Sequence, residues 1–323
     1  MEQLKTPVVY LAYNRPRHVK KTFPAIREAK PKVLFLIADG PKPDCATDFE
    51  NCSEVRKILE NIDWPCKVFR NYADSNMGLK KRVGSGISWV FNHVNKAIIL
   101  EDDCLPHPDF FKFCSGLLKR YESDERVWTI TGDNFQDGKI YGEGSYYFSK
   151  YPHCWGWATW ARAWKNYQED IPFWPQWSLS ENWKTCHSGI REENFWRKIF
   201  QKVYEGKINS WAFPWQATVW YHGGFTVTPN VNLVSNIGFG TDGSNCLDSS
   251  VFNANRQAHE LPSIRHPYVI EVNRKADRFV FNHTFLNKSE CSIVNSWIHK
   301  ICILSMHLVN KVKGVFNPKT ILQ

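Results

Sequence analysis

Through the first 135 residues, short apolar runs alternate with stretches whose apolar positions recur at helical spacing. The runs Val8–Tyr13, Val33–Ala38, Cys66–Phe69, Ala97–Leu100 and Val127–Ile130 read as buried β-strands. Between them, residues 18–29, 48–61, 78–94 and 108–121 read as helices. In the second of these, Val55, Ile58, Leu59 and Ile62 share one face. Asn14-Arg15-Pro16 and Asp39-Gly40-Pro41 end the first two strands as turns. Alternation of this kind implies an α/β fold, with a mostly parallel sheet and helices on both faces. In such sheets ligands bind beyond the carboxyl ends of the strands. Asn14-Arg15, Asp39-Gly40, residues 71–74 and Glu101-Asp102-Asp103 all follow strand ends, so they are expected to converge on one cleft.

The second half is less regular. Helical character is read at 158–167, 190–204 and 211–221, and a short strand at 225–228. An ordered loop rich in Asn, Gly and Ser follows at 230–250. Farther on, Ile293, Trp297, Ile301, Leu304, Leu308, Val312 and Val315 recur at helical spacing, with Lys300, Lys311 and Lys313 among them. That pattern is a basic amphipathic helix. It either docks on the body of the protein or in a dimer interface, or lies on anionic lipid.

Composition narrows the chemistry. Hydrophobic residues make up 43% of 323 positions, enough for a substantial core. There are 15 Trp, many of them between Trp155 and Trp220. A broad apolar face with one N–H donor suits a sugar ring, and it suits a core equally well. The net charge of +9 is compatible with nucleic acid, an anionic membrane or a phosphorylated substrate. No nucleic-acid-binding signature accompanies it, so the last two lead. The 10 Cys form no C-x-x-C, which disfavours structural zinc and reads as reduced thiols. No leader-like segment and no apolar run of about 18 residues is seen. A cytoplasmic protein is expected, meeting a membrane only peripherally on its inner face. Dinucleotide, P-loop, zinc-hydrolase and serine-hydrolase motifs are all missing.

The strongest chemical signal is Glu101-Asp102-Asp103, three carboxylates directly after an apolar strand. Crowded carboxylates repel unless a cation neutralises them. A hard divalent ion, Mn2+ or Mg2+, prefers such oxygens and leaves positions for substrate phosphates. It would stabilise the charge that builds on a departing nucleoside diphosphate. The alternative is an acidic turn favouring the N-terminus of the helix near Pro108.

Residues 98–111, Ile-Ile-Leu-Glu-Asp-Asp-Cys-Leu-Pro-His-Pro-Asp-Phe-Phe, resemble the metal-binding strand and following helix of GT-A glycosyltransferases. The closest resemblance is to N-acetylglucosaminyltransferase I and its bacterial relatives. Pro7–Pro16, Ile37–Gly40, Asn76–Arg82, Trp128–Asn134 and Gly156–Trp160 resemble further segments of that family in the same order, across Thr6 to Asp242. The resemblance implies a GT-A, Rossmann-like fold. It also implies an inverting, metal-dependent transfer of a hexose or N-acetylhexosamine, from a UDP-sugar to a glycan or lipid-linked glycan of a surface polysaccharide. Residues 1–255 would be the catalytic unit, with 1–135 as nucleotide-sugar half and 136–255 as acceptor half. Residues 256–323 would form an extension.

Carried over, the resemblance places Arg15 and Asp39 at the base and ribose. Lys80 or Lys81 falls at the diphosphate, with Arg82 as a further option. Asp103 becomes the metal ligand, and Asp102, with Glu101 beside it, falls at ribose or metal-bound water. Trp155, Trp157, Trp211 and Trp215 are the candidate acceptor-stacking residues. An inverting enzyme also needs a carboxylate to deprotonate the acceptor. The family's acid is expected within Ser210–Trp215, where this chain has Ala212. Asp242, Asp133 and Glu193 are the substitute candidates. Two rivals stay open: a sugar-phosphate nucleotidyltransferase, and a non-catalytic glycan-binding or scaffold protein on the same fold. The first would want a Gly-rich loop after the first strand, where Asn14–His18 has no Gly.

Overall fold

The computed structural model describes residues 3–239, 256–261 and 263–286. Asp242 and the amphipathic pattern at 293–315 lie outside the described residues. The alternating half folds as its pattern predicts. Strands β1 (Val8–Ala12), β2 (Val33–Ala38), β3 (Lys67–Tyr72) and β4 (Lys96–Glu101) pair in parallel, with β1 between β2 and β4. A two-stranded sheet joins β5 (Cys104–Pro106) to β10 (Val234–Asn236). The main sheet continues through β6 (Val127–Thr131), β7 (Tyr146–Ser149), β8 (Trp157–Trp160) and β9 (Phe225–Pro229), giving eight strands in the order 3-2-1-4-8-6-9-7. Only β7 and β8 run against the others. This is a Rossmann-like, mostly parallel α/β sheet.

Side-chain alternation along the strands divides the core in two. Val9, Leu11, Phe35, Ile37, Ala97 and Ile99 pack with helices α3 (Leu79–Phe91), α8 (Ile190–Tyr204) and α9 (Ala212–Tyr221). Val8, Tyr10, Leu34, Leu36, Ile98 and Leu100 pack with α1 (Pro16–Ala29), α2 (Ala46–Leu59) and α4 (Pro108–Arg120). Helices therefore cover both faces, and β1, β2 and β4 are buried on both sides, which is why their sequences are mostly apolar runs, whereas the edge strand β3 is partly exposed and mixed in character.

The stretch 158–167 departs from its expected helix. Trp157–Trp160 forms β8, antiparallel between β4 and β6, and only α5 (Ala161–Trp164) is helical. The physical reason is a period of two. Trp157 enters one core and Ala158 and Trp160 the other. Farther along the chain, residues 256–261 and 263–286 are stitched to the body. Asn273 N donates to Phe148 O (2.7 Å), and Ser149 Oγ donates to Asp277 on α10 (Arg274–Val280). Among the described residues no helix is long and apolar enough to cross a membrane, and the seven cysteines are free thiols.

Three of the four tryptophans proposed for the acceptor are core residues. Trp157 and Trp215 are 1% exposed and Trp211 is 2% exposed. Trp157 stacks on Trp211 with centroids 5.5 Å apart, and Trp215 packs on Trp157 (5.8 Å) and Trp164 (5.1 Å). Their faces are taken by one another, so they join α9 to the sheet and offer no platform to a sugar. Replacing Trp157 by Ala should lower unfolding stability by about 3–5 kcal/mol, the usual cost of emptying a large aromatic site. Denaturant melts of the two proteins check this, and equal midpoints would contradict the core assignment.

Candidate active site

The four strand-end segments meet at the carboxyl edge of the sheet. After β1, Tyr13 N donates to Asp102 Oδ2 (3.2 Å). Arg15 Nη2 bonds Asp102 Oδ1 and Asp103 Oδ2, the latter at 3.0 Å. Asp102 and Asp103 are 2% and 3% exposed. Burial disfavours the charge on Arg15, yet Asp102 and Asp103 outweigh it and hold its pKa above the ordinary guanidinium value. Thr22 Oγ1 donates to the Asp102 carbonyl (3.2 Å) and is itself bonded to Tyr10 OH (2.6 Å). Ile237 N donates to the Asp103 carbonyl (2.8 Å), while His18 Nε2 meets Ile237 O (3.2 Å). At Gly238 a Cβ would lie 2.5 Å from Asp103 Oδ2, so only glycine lets this segment lie against the carboxylate.

Asp39 plays a different part from the one expected. Its carboxylate accepts from Gly40 N (2.8 Å), Met77 N (2.9 Å), Asn76 Nδ2 (3.1 Å) and Gly78 N (3.2 Å). Four donors leave little for a nucleobase, and the bonds fasten the entry of α3 to the end of β2. Gly40 belongs to the same junction, since a Cβ there would lie 2.4 Å from the Ser75 backbone. Among the basic candidates, Lys80 pairs with Asp170 (2.9 Å) and Glu169 (3.7 Å). Arg82 is buried on Asn71, and its burial lowers its pKa. Lys81 is exposed. Lys80 and Arg82 thus anchor α3 to its neighbours.

Among the candidate bases, Glu193 is committed elsewhere. It accepts from Trp183 Nε1 (3.1 Å) and Arg197 (2.7 Å), locking α8 to α7 (Glu181–Thr185). Asp133 is different. It is 1% exposed, and its Oδ2 accepts from Trp155 N (2.9 Å) and Thr131 Oγ1 (3.4 Å). Its Oδ1 is enclosed without a hydrogen-bond partner. Burial pushes its carboxyl well above the usual carboxylate range. Asp133 lines a small cavity of about 40 Å³ whose walls include Phe135, His153, Trp155, Phe195, Ala212 and Gln216. Burial lowers the His153 pKa to about 3, so that ring is neutral. Ala212, where the family's acid was expected, therefore opens into the same cavity as Asp133.

This cavity is linked to the acidic cluster through Trp155, Phe239 and Gly238. Strand β8 separates β4 from β6, so the ends of the latter two lie about 10 Å apart, two strand spacings. Trp155 contacts Phe239 edge to face (5.6 Å), and the next residue back, Gly238, lies on Asp103. Burial raises the buried Cys104 thiol, and Asp103, Glu101 and Asp133 all add to that rise. The sequence reading missed Tyr13 and Thr22, which fix Asp102, and His153 and Gln216, which line the cavity. Tyr13 carried a positional signal, since it directly follows β1. Gln216 and His153 carried none, because only tertiary packing brings their segments to Asp133.

The divalent ion implied by the sequence resemblance can be tested against these side chains. The Arg15 guanidinium is a stand-in cation on Asp102 and Asp103. Among the described residues no three His, Cys, Asp or Glu side chains converge as a cage. Two carboxylates, with the remaining positions left to phosphate and water, suit Mg2+-like ions. The donor set fits.

No family model and no curated protein matches the sequence. Among solved structures, S. aureus TarS 1–349 is similar at TM-score 0.40 and 10% identity, over 71% of this chain and 59% of that one. UDP-glucose pyrophosphorylase complexed with UDP-glucose is similar at TM-score 0.34 and 12% identity, over 70% of this chain and 90% of that one. The chain thus spans less than two thirds of the TarS fragment. Neither likeness says what this chain binds.

The folded pKa of Asp133 lies above its unfolded one, so the stability it allows is full below about pH 3.9 and is lost as pH rises through the folded pKa. Asp133→Asn removes that loss. The melting-temperature difference between variant and wild type should move in favour of the variant from pH 4 to pH 8. A difference that does not change with pH would contradict the raised pKa.

Proposed function

We propose that this protein transfers a sugar from a nucleotide diphosphate sugar to a hydroxyl of a glycan or lipid-linked glycan, with Asp133 as general base. One observation carries the reading. A buried carboxylate with an unpartnered oxygen lies on an aromatic cavity that is linked through Trp155, Phe239 and Gly238 to a cation-binding pair of aspartates. Aromatic walls take the apolar C–H face of a sugar, and the few polar groups orient its hydroxyls.

In the proposed reaction the Asp133 carboxylate takes the proton of the acceptor hydroxyl and becomes neutral. The acceptor oxygen forms a bond to the anomeric carbon from the face opposite the leaving group. The bond from that carbon to the diphosphate oxygen breaks, and its electron pair leaves with the nucleoside diphosphate. A base whose pKa is raised accepts a proton more readily, so burial suits Asp133 to the step. Asp102 and Asp103 would hold the divalent ion, which supplies positive charge to the leaving diphosphate. Arg15 would add a second positive charge at the same end of the donor. Trp155, half-buried at the cavity, would supply the sugar contact.

The test is nucleoside diphosphate release from a panel of UDP-sugars with Mn2+ or Mg2+, with and without glycan acceptors. Acceptor-dependent release is the expected result. Asp133→Asn should lower kcat by about 10²–10⁴-fold, the usual share of a general base. Donor affinity should stay near that of the wild type. Pyrophosphate formed from UTP and a sugar phosphate would favour a nucleotidyltransferase. Glycan binding with neither reaction would leave a binding protein.

A further inference from the structure

We propose that Arg15 and the divalent cation compete for the same two carboxylates, so that Arg15 guards the cation site until a nucleotide donor arrives. The proposal rests on the reading of Asp102 and Asp103 as the cation ligands. A single nitrogen, Arg15 Nη2, contacts both Asp102 Oδ1 and Asp103 Oδ2. A hard divalent ion would sit about 2.1 Å from such oxygens, in the space that nitrogen fills. Two positive charges at that spacing repel strongly, so the two occupants exclude each other.

The carboxylates are the fixed partners in this exchange. Asp102 is held by Tyr13 N on its side chain and by Thr22 on its carbonyl. Asp103 is held by Ile237 N on its carbonyl, and Gly238 lies against its side chain. Arg15 is the third partner. It has a long side chain, and it stands at the N-cap of α1 in the turn after β1, with Pro16 opening the helix behind it. Its second nitrogen, Nη1, is enclosed but has no hydrogen-bond partner. A guanidinium released from the aspartates is a forked donor suited to phosphate oxygens. Arg15 thus has two places to spend its charge, the carboxylates without a donor and the diphosphate with one. Cation and nucleotide then bind with positive coupling, because each favours the displaced position of Arg15.

The experiment measures Mn2+ affinity of the nucleotide-free full chain by electron paramagnetic resonance, for wild type, Arg15→Ala and Arg15→Gln. If the guarded position holds nine molecules in ten, its removal tightens Mn2+ binding by about tenfold. In wild type, UDP should tighten Mn2+ binding, and in both variants that coupling should vanish. Unchanged or weaker Mn2+ binding in the two variants overturns the proposal. If the variants do not fold, the Arg15 guanidinium NMR signal of wild type is followed during Mg2+ titration. A signal that shifts on saturation supports displacement, and one that stays in place overturns it. Turnover of a UDP-sugar without this competition sinks the Arg15 proposal alone. Competition without turnover of any nucleotide sugar sinks the glycosyl-transfer reading alone.

Discussion

Two buried aspartates side by side need a cation, and most of the cleft follows from how this chain supplies one. Asp102 and Asp103 are held almost out of solvent at the end of β4, where unpaired charges of like sign are strongly disfavoured. Arg15 crosses from the end of β1 to meet them. That ion cluster draws the turn after β1 onto the turn after β4. It brings Tyr13 and Thr22 into range of Asp102, and it sets the floor on which Gly238 rests. One element farther, Phe239 meets Trp155, and Trp155 N holds Asp133. A charge-balance requirement at one strand end thus propagates by contact to the aromatic cavity.

The first half of the chain was legible because both faces of β1, β2 and β4 are buried. A parallel strand with helices on each side must be apolar at every position, and such runs stand out between amphipathic helices. β8 was not legible in the same way. Trp157–Trp160 is four residues long and follows no crossover, so its aromatic residues read as well for a helix as for a reversed strand. The tryptophans show the same limit at the level of the site. Composition reveals a large flat side chain, but whether its faces meet a sugar or another indole depends on α9 packing over β8.

Asp39 and Arg15 separate two kinds of legibility. Both follow strand ends, and both were placed at the nucleotide on position and resemblance. Position was read rightly for both, since each lies at the carboxyl edge of the sheet. What position does not disclose is how many local donors a carboxylate will collect. Asp39 is surrounded by the backbone N–H groups of the turn it closes and is consumed by them. Arg15 instead reaches across the cleft, and its charge is met by Asp102 and Asp103.

The position of the proposed base follows the same logic of environment over sequence place. The family acid was sought at 212, on the first turn of α9, and Ala212 stands there. Ala212 and Asp133 nevertheless line one cavity, walled by aromatic side chains. Two carboxylates in such a cavity would share a proton, and the pKa of one would rise too far for it to act as a base near neutral pH. With Asp133 already there, burial raises its proton affinity against the bonds from Trp155 and Thr131, and an alanine at 212 adds no second carboxyl to the cavity. On the proposed reading, the missing acid and the buried acid are two halves of one arrangement, in which a single carboxylate has moved from the helix wall to the sheet edge.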